Sequence, residues 1–360
     1  MLPYMTPFER YQAFVKTYPE AKETFKTMQA WYVANKPKNG IFVPSGNLYT
    51  MSPMLMKLVA SKSKLAQSFT TMTDNDRLHL NYFWGLSLFG TWRYTLGVYQ
   101  INDNLFDTLV KSPIPDDTPT SIFDKLPEWC VYIAFPEGKA INIKFNNGFA
   151  DYEAFIFGFW VKLDTQNLTT SEGEQKIRVI NFHLNLQTGI DNVFSNLQPL
   201  QLMIADDLSI KEAMQKHAKM VFEAYTPNHD FIVTQQNAKQ DYDLTNKLLS
   251  LLLMLCAEAP DISKITGEPI TKIELGKPKY TVNKRTGVFI PPQAPFLYEI
   301  GRRLGGDIKT TNDQLKNAGQ GSGKGRRPHI RNAHYHGYWI GTGQNKQFKL
   351  NWIAPIFVNG

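Results

Sequence analysis

The sequence predicts an α+β fold, and three changes of pattern along the chain predict it. The first hundred residues carry apolar side chains at the three- and four-residue steps of amphipathic helices. The middle consists of short apolar runs separated by turn residues, which is typical of antiparallel strands joined by short loops. Helical patterns then return, followed by two strand-like runs. We therefore predict a helical part at 1–111, an antiparallel sheet at 112–208, helices at 209–318, and a basic glycine-rich loop with a hairpin at 319–360.

The predicted helices begin at recognisable signals. Thr6 and Glu9 have the spacing of a capping box, in which a hydroxyl and a carboxylate satisfy the free amides of the first turn. Ser209 and Glu212 repeat this spacing ahead of a later helix. Another helix is predicted to begin at Asp74. Three glycines in this aromatic-rich stretch indicate close packing or a break: Gly85, Gly90 and Gly97.

The predicted strands are short, apolar and bounded by turn residues. Asn146-Asn147-Gly148 separates two of them and favours a hairpin, because Asn-Gly tolerates positive φ. Near the C-terminus, Phe296, Ile300 and Leu304 predict a short helix that ends at Gly305-Gly306. The predicted central strands are 130–135, 141–145, 155–163, 177–186 and 200–204, and the C-terminal pair is 334–340 and 347–358.

Composition limits the class of protein. The chain has 360 residues, a net charge of +7 and a pI near 9.1, which favours acidic or polyanionic partners. Cys130 and Cys256 lie in apolar runs and are expected to be buried, reduced thiols. No segment resembles a signal peptide or is long and apolar enough to cross a bilayer. We expect a protein of the bacterial cytoplasm, without a membrane contact.

The strongest local signal is a histidine- and arginine-rich segment near the C-terminus. His329, His334 and His336 fall within eight residues, and Asp, Glu and Cys are absent from 324–360. Side chains alternate along a strand, so His334 and His336 would share one face. Three interpretations remain open: a half-buried structural strand, contact with nucleic acid or peptide, and a metal or catalytic site. The candidate nucleic-acid contacts are Lys324, Arg326, Arg327, His329, Arg331, His334 and His336.

Known motifs of enzymes and metal-binding proteins are either incomplete in this sequence or absent from it. The glycine-rich run at 319–327 lacks the leading Gly and the Ser or Thr that a phosphate-binding loop requires. Paired cysteines at zinc spacing and a Gly-x-Ser-x-Gly elbow are absent from the sequence. We therefore expect no metal, no cofactor and no catalytic residue, and interpret the chain as a basic binding protein.

Several ordered blocks of sequence carry a resemblance to a known family. The N-terminal and central blocks are Met28-Gln29-Ala30-Trp31, Gly90-x-Trp92-Arg93-x-Thr95-Leu96-Gly97, and Leu126-Pro127-x-Trp129-Cys130-Val131-Tyr132. The later blocks are Pro278-Lys279, Asn283-Lys284-x-Thr286-Gly287, Arg327-Pro328-His329-Ile330-Arg331 and His334-x-His336-Gly337-Tyr338-Trp339. With them the chain resembles the second family of type V-A anti-CRISPR proteins of bacterial mobile elements. The match is poor between about residues 135 and 239, and Tyr335 stands where the family pattern has Trp.

The resemblance implies a function that spacing alone does not. Such proteins lower the amount of the type V-A CRISPR effector nuclease, Cas twelve a. It implies recognition of a segment of the effector polypeptide during translation and loss of its mRNA, with the mRNA or the translating ribosome as a further partner. Peptide capture fits aromatic pockets with a few charged anchors. The expected partner-binding residues are Trp31, Trp92, Arg93, Trp129, Tyr338 and Trp339.

An enzymatic alternative rests on the same C-terminal segment. His329, His334 and His336, with Arg331, would cleave RNA by general acid–base chemistry near neutral pH. A carboxylate partner at catalytic spacing is not recognisable in the sequence. Binding without bond breaking is therefore the leading hypothesis, and direct ribonuclease activity is the alternative.

Overall fold

A computed structural model of the chain describes residues 5–38, 40–60, 74–146, 151–170, 173–188, 199–205, 208–225, 231–318 and 329–358. The first part is helical and runs through α1 (Pro7–Thr17), α2 (Ala21–Asn35), α3 (Leu48–Met51), α4 (Pro53–Ala60) and α5 (Asp74–Trp92). The next elements are β1 (Gly97–Ile101), α6 (Asp103–Val110), β2 (Cys130–Ala134), β3 (Ile141–Asn146), β4 (Asp151–Thr170), β5 (Gly173–Thr188) and β6 (Leu200–Ile204).

Helices and short strands alternate in the rest of the chain. These elements are α7 (Ile210–Tyr225), α8 (Phe231–Cys256), β7 (Ile262–Lys264), α9 (Lys272–Leu275), β8 (Thr281–Val282), β9 (Phe289–Ile290), β10 (Phe296–Ile300) and α10 (Arg302–Ala318). The C-terminal strands are β11 (His329–Arg331), β12 (His334–Ile340), β13 (Gln347–Ile353) and β14 (Ile356–Val358).

An eight-stranded mixed sheet organises the described residues. Its order is β6-β5-β4-β2-β1-β10-β7, and β3 pairs with β4 beyond the end of β2. β1 is parallel to both β2 and β10, whereas the other neighbours in this sheet are antiparallel. β12 and β13 form a separate antiparallel hairpin, here called the C-terminal hairpin.

Both faces of the sheet are buried, so the strands carry apolar side chains in both directions. In β2, Val131 and Ile133 join the core shared with α6 and α8, whereas Cys130 and Tyr132 join the core shared with α1, α2 and α5. In β4, Trp160 faces the N-terminal helices. The sheet is thus the middle layer between two helical layers.

A buried polar network ties the N-terminal helices to this sheet. Lys162 and Asp164 on β4 form an ion pair with Nζ and Oδ2 3.0 Å apart, and their side chains are 1% and 0% exposed. Lys162 Nζ donates to Ser87 Oγ on α5 at 2.6 Å, and Asp164 Oδ1 accepts from the Ser45 amide at 2.9 Å. Because removing one partner leaves a buried charge uncompensated, this network fixes how α5 packs on the sheet.

The predicted α+β class is confirmed, with several corrections. Both capping boxes form, at Thr6 with Glu9 and at Ser209 with Glu212. The sheet is mixed instead of wholly antiparallel, because β1 enters it with two parallel neighbours. The helix predicted around Phe296 is wrong: residues 296–300 form β10, and α10 follows with Gly305-Gly306 in its interior.

Other predictions on local structure have mixed outcomes. Cys130 and Cys256 are buried free thiols, as predicted. The C-terminal hairpin forms from the two predicted strands, although its second strand ends at Ile353 and β14 is separate. The predicted turn at Asn147-Gly148 and the glycine-rich run at 319–327 lie outside the described residues. Among the helices that the structure describes, none has the length and apolar content to cross a membrane.

Candidate functional site

An aromatic pocket lies where the segments after α5, before β2 and before β8 meet. Tyr94, Trp129 and Tyr280 line it, and the rings of Trp129 and Tyr280 stack with centroids 5.4 Å apart at an interplanar angle of 15°. The cavity has a volume of about 220 Å³, and its other lining residues include Leu126, Pro127, Glu128, Pro278 and Lys279. We call this site the Trp129 pocket.

The pocket belongs to a larger aromatic cluster that fixes its walls. Trp129 also packs against Phe42 and Tyr32, each with ring centroids 4.8 Å away. Tyr280 stacks on Phe289 of β9 with centroids 4.3 Å apart. Aromatic pairs at these separations contribute roughly 0.5–1.5 kcal/mol each beyond the area that they bury. The walls are therefore held in place before any partner binds.

A carboxylate is buried at this pocket. The Glu128 side chain is only 4% exposed; its Oε1 accepts from the Tyr99 hydroxyl at 3.1 Å and lies 3.9 Å from Lys279 Nζ. Its Oε2 has no hydrogen-bond partner among the described residues. A Cβ at Gly97 would lie 2.3 Å from that oxygen, so the glycine provides the space that the carboxylate occupies.

The environment of Glu128 favours its neutral form. Burial raises its pKa to about 8, against the opposing effects of the Lys279 charge and the Tyr99 hydrogen bond. Burial also lowers the pKa of Lys279, while Glu128 acts in the opposite direction. The ammonium donates to the carbonyl oxygens of Glu274 and Leu275, both at 3.3 Å. The pocket thus contains a positioned cation beside an acid that a bound partner can ionise.

The chemistry of the pocket suits recognition of a peptide side chain. Its volume of about 220 Å³ lies below the roughly 300 Å³ at which sites for drug-sized ligands begin. Apolar and aromatic walls with two convergent polar groups can exclude water around a side chain and fix its orientation. Among the described residues, no three His, Cys, Asp or Glu side chains cluster in a way that could hold a metal ion.

The N-terminal residues expected to bind a partner are placed differently from one another. Trp129 lines the pocket, and Trp31 is half-buried against the same aromatic cluster. The Arg93 guanidinium lies over the ring of Tyr94, 5.0 Å from its centroid. Trp92, in contrast, is fully buried, and its Nε1 donates to the Gly97 carbonyl at 3.2 Å. We therefore correct the expectation for Trp92, which is a core residue and not a surface contact.

The C-terminal hairpin carries the remaining expected aromatic contacts. Tyr338 and Trp339 are 39% and 49% exposed. Both His334 and His336 lie on the face opposite to the buried Tyr335, as alternation predicts. Tyr335 donates its hydroxyl to the Ser250 carbonyl of α8 and so anchors the hairpin to the core.

The predicted basic residues of the C-terminal segment are only partly brought together. His329 and Arg331 lie on β11, which pairs with β14 and not with the hairpin. The Nδ1 of His334 is 3.3 Å from the Asn332 carbonyl oxygen, and the His336 ring stacks on Tyr338. The other three basic candidates, Lys324, Arg326 and Arg327, lie outside the described residues.

Sequence reasoning missed most of the residues that build the pocket. Tyr94, Lys279 and Tyr280 join Trp129 only through the tertiary fold. Glu128 carried one usable signal, since it is a lone acid between Pro127 and Trp129 in an otherwise apolar run. The tyrosines carried none, because the sequence has 16 tyrosines and burial beside Trp129 depends on distant packing.

Comparisons with known proteins agree with this architecture. A family model described as AcrVA2-like, Anti-CRISPR type V subtype A2 family, matches residues 99–360. A solved structure titled "Crystal structure of AcrVA2" is similar with a TM-score of 0.70 and 31% sequence identity, covering 98% of each chain. A comparison with curated protein sequences gave no match. The family match covers most of the chain and the structural match nearly all of it, so the chain belongs to the AcrVA2-like family of type V subtype A2 anti-CRISPR proteins.

Proposed function

We propose that this anti-CRISPR protein represses production of the type V-A effector nuclease. In this proposal it binds a segment of the effector polypeptide as the segment is translated in the bacterial cytoplasm, and binding triggers loss of the effector mRNA. Family membership supports the choice of target. The Trp129 pocket is the observation that supports peptide capture, because it combines preformed aromatic walls with a buried carboxylate and an ammonium group.

The pocket suits an extended segment with one large anchoring side chain. The anchor would occupy the cavity between Tyr94 and Trp129, and neighbouring residues of the segment would contact Trp31 and Arg93. Such an interface concentrates binding energy in a few desolvated aromatic contacts. Sequence specificity then follows from the shape of the cavity, the Lys279 ammonium group and the Glu128 carboxyl group.

We further propose that the protein acts by binding and does not cleave RNA itself. The His336 ring is stacked on Tyr338 at a centroid distance of 5.7 Å. The sequence at 329–358 contains no Asp or Glu that would orient an imidazole as a general base. These observations favour contact over catalysis at the C-terminal hairpin.

Peptide binding by purified variants tests this proposal. An array of overlapping effector peptides identifies the bound segment, and calorimetry then compares wild type with Trp129→Ala. Loss of a central aromatic anchor costs about 2 kcal/mol or more, so affinity should fall roughly 30-fold. Ile356→Ala is the control, since it truncates an apolar side chain of β14 that is 49% exposed and lies outside the pocket.

The outcomes separate the site from the function. Thermal unfolding of each variant first establishes that it is folded. Equal binding by wild type and both variants would reject the Trp129 pocket as the peptide site. If no effector peptide binds to the wild-type protein, peptide capture itself is wrong.

A further inference from the structure

The outer face of the C-terminal hairpin presents stacked rings beside a lysine. His336 and Tyr338 alternate on β12, and their rings stack with an interplanar angle of 28°. Tyr338 is directly opposite Lys349 in the hairpin register, and His336 is opposite Asn351. Directly opposed side chains share a face with Cβ atoms about 4.5–5.5 Å apart. The ring pair and the Lys349 stem are therefore neighbours on one surface.

Lysines from three elements converge at the base of this face. Lys349 of β13 donates to Glu258 Oε2 at 2.7 Å. Lys125, at the end of a short 3-10 helix (Thr120–Lys125) before β2, donates to Glu258 Oε1. Lys272 of α9 interacts electrostatically with Glu258 and with both of these lysines. We call Lys125, Lys272 and Lys349 the lysine cluster.

The cluster carries more positive charge than its acid neutralises. Burial acts to raise the pKa of Glu258, but the hydrogen bonds from Lys125 and Lys349 and the charge of Lys272 hold it below its usual range. Glu258 is therefore ionised at neutral pH, and one carboxylate among three lysines leaves the cluster with an excess of positive charge. No acid within 324–360 offsets this excess, because that part of the sequence has none.

We propose that the outer face of the C-terminal hairpin binds single-stranded nucleic acid. Phosphates lie at the lysine cluster, and a base stacks on the exposed ring of Tyr338 next to His336. Single strands offer free base faces, whereas a duplex buries them in its own stack. An acidic peptide would use the lysines and leave the rings without a partner. We expect the nucleic acid to be RNA, because this inference rests on the proposed function. It deepens that function by giving the protein a direct contact with the transcript that is lost.

Fluorescence anisotropy with the full chain tests the inference without any effector peptide. The probes are a labelled single-stranded RNA of about 20 nucleotides, the DNA strand of the same sequence, and the RNA duplex. We expect binding of single strands that weakens as salt is added. Tyr338→Ala should lower affinity roughly 5- to 150-fold, and Tyr338→Phe should retain it.

A charge variant supplies a second, independent readout. Lys349→Gln should reduce the slope of log affinity against log salt by about 0.7 for a single strand. Lys26→Gln is the matched control, since Lys26 is a paired lysine of α2 whose side chain is 75% exposed. If Tyr338→Ala unfolds the hairpin, His336→Ala tests the stack instead, with a smaller loss expected.

Each remaining result decides the inference. Whichever of RNA and DNA binds more tightly is identified as the ligand, provided that its binding requires both Tyr338 and Lys349. Duplex bound as tightly as single strands, or unchanged affinity in Tyr338→Ala, would overturn the stacking site. Competition by polyglutamate that does not depend on Tyr338 would show general polyanion capture instead. Peptide capture at the Trp129 pocket is measured separately, so failure here leaves that proposal intact.

Discussion

Glu128 shows how one residue links the fold to the candidate site. Its carboxyl group is enclosed by Gly97, Tyr99 and Lys279, and among the described residues only Oε1 has a hydrogen-bond donor. Burial of an incompletely paired acid costs stability unless the acid stays protonated. This cost is typical of positions retained for binding, where a partner supplies the missing interaction.

The pKa of Glu128 predicts a pH-dependent stability. Its folded pKa is about 8, whereas the ordinary pKa of a glutamate is 4.5. Between these two pH values the native state holds a proton that the unfolded state has lost. The stabilisation that this proton gives is therefore fully present below the lower value and is lost as pH rises through the upper one. Wild type should therefore lose stability relative to Glu128→Gln by up to about 1.4 kcal/mol per pH unit.

Urea denaturation from about pH 5 to about pH 9 measures this difference. The glutamine variant is the appropriate reference, because it keeps the shape of the side chain and cannot ionise. We expect the gap between the two unfolding free energies to change with pH and to level off above about pH 8. A constant gap would show that Glu128 is already ionised in the free protein.

At the scale of elements, α5 depends on glycine for its packing. A Cβ at Gly85 would lie 2.1 Å from Cε2 of the fully buried Phe14 on α1. A Cβ at Gly90 would lie 2.6 Å from Met28 Cε on α2. Both glycines therefore let neighbouring helices approach α5 closely, which was one of the two interpretations open from the sequence.

Two glycine substitutions should consequently have opposite effects. Gly85→Ala should destabilise the protein by about 1–3 kcal/mol, because overpacking against Phe14 outweighs the better helix propensity of alanine. Gly306→Ala in α10 should stabilise it by about 0.5–1 kcal/mol, since no described atom outside its chain neighbours and its own helix backbone lies within 4 Å of the added methyl group. Urea denaturation of both variants measures the signs, and stabilisation by both would contradict the close packing of α5.

Elements with local signals could be predicted, and those with conflicting local signals could not. The capping boxes at Thr6 and Ser209 need only neighbouring residues and were predicted correctly. Phe296 and Ile300 have helical spacing in a run too short to distinguish a helix from a buried strand. Pairing with β1 makes that run a strand, and α10 begins only after Gly301, whose φ is +79°.

At the scale of the whole molecule, parallel strand pairing explains why the sequence does not predict the mixed sheet. Gly97 pairs with Phe296, nearly 200 residues later in the chain. Nothing near either residue specifies the other, since the pairing depends on how the helices cover the sheet. The Trp129 pocket has the same origin, because it joins segments before β2 and β8. A tryptophan was recognisable as a candidate, but its pocket was not.

The central claim is that the protein recognises the effector polypeptide during translation. Transcript and protein levels in cells, with and without this chain, test it most directly when two altered effector genes are compared. A synonymously recoded gene keeps the peptide and changes the RNA, whereas a frameshifted gene keeps almost all of the RNA and changes the peptide. We predict loss of the recoded transcript and its protein, with the frameshifted transcript unaffected. Unchanged amounts of the recoded transcript and its protein, or equal loss of both transcripts, would contradict the account.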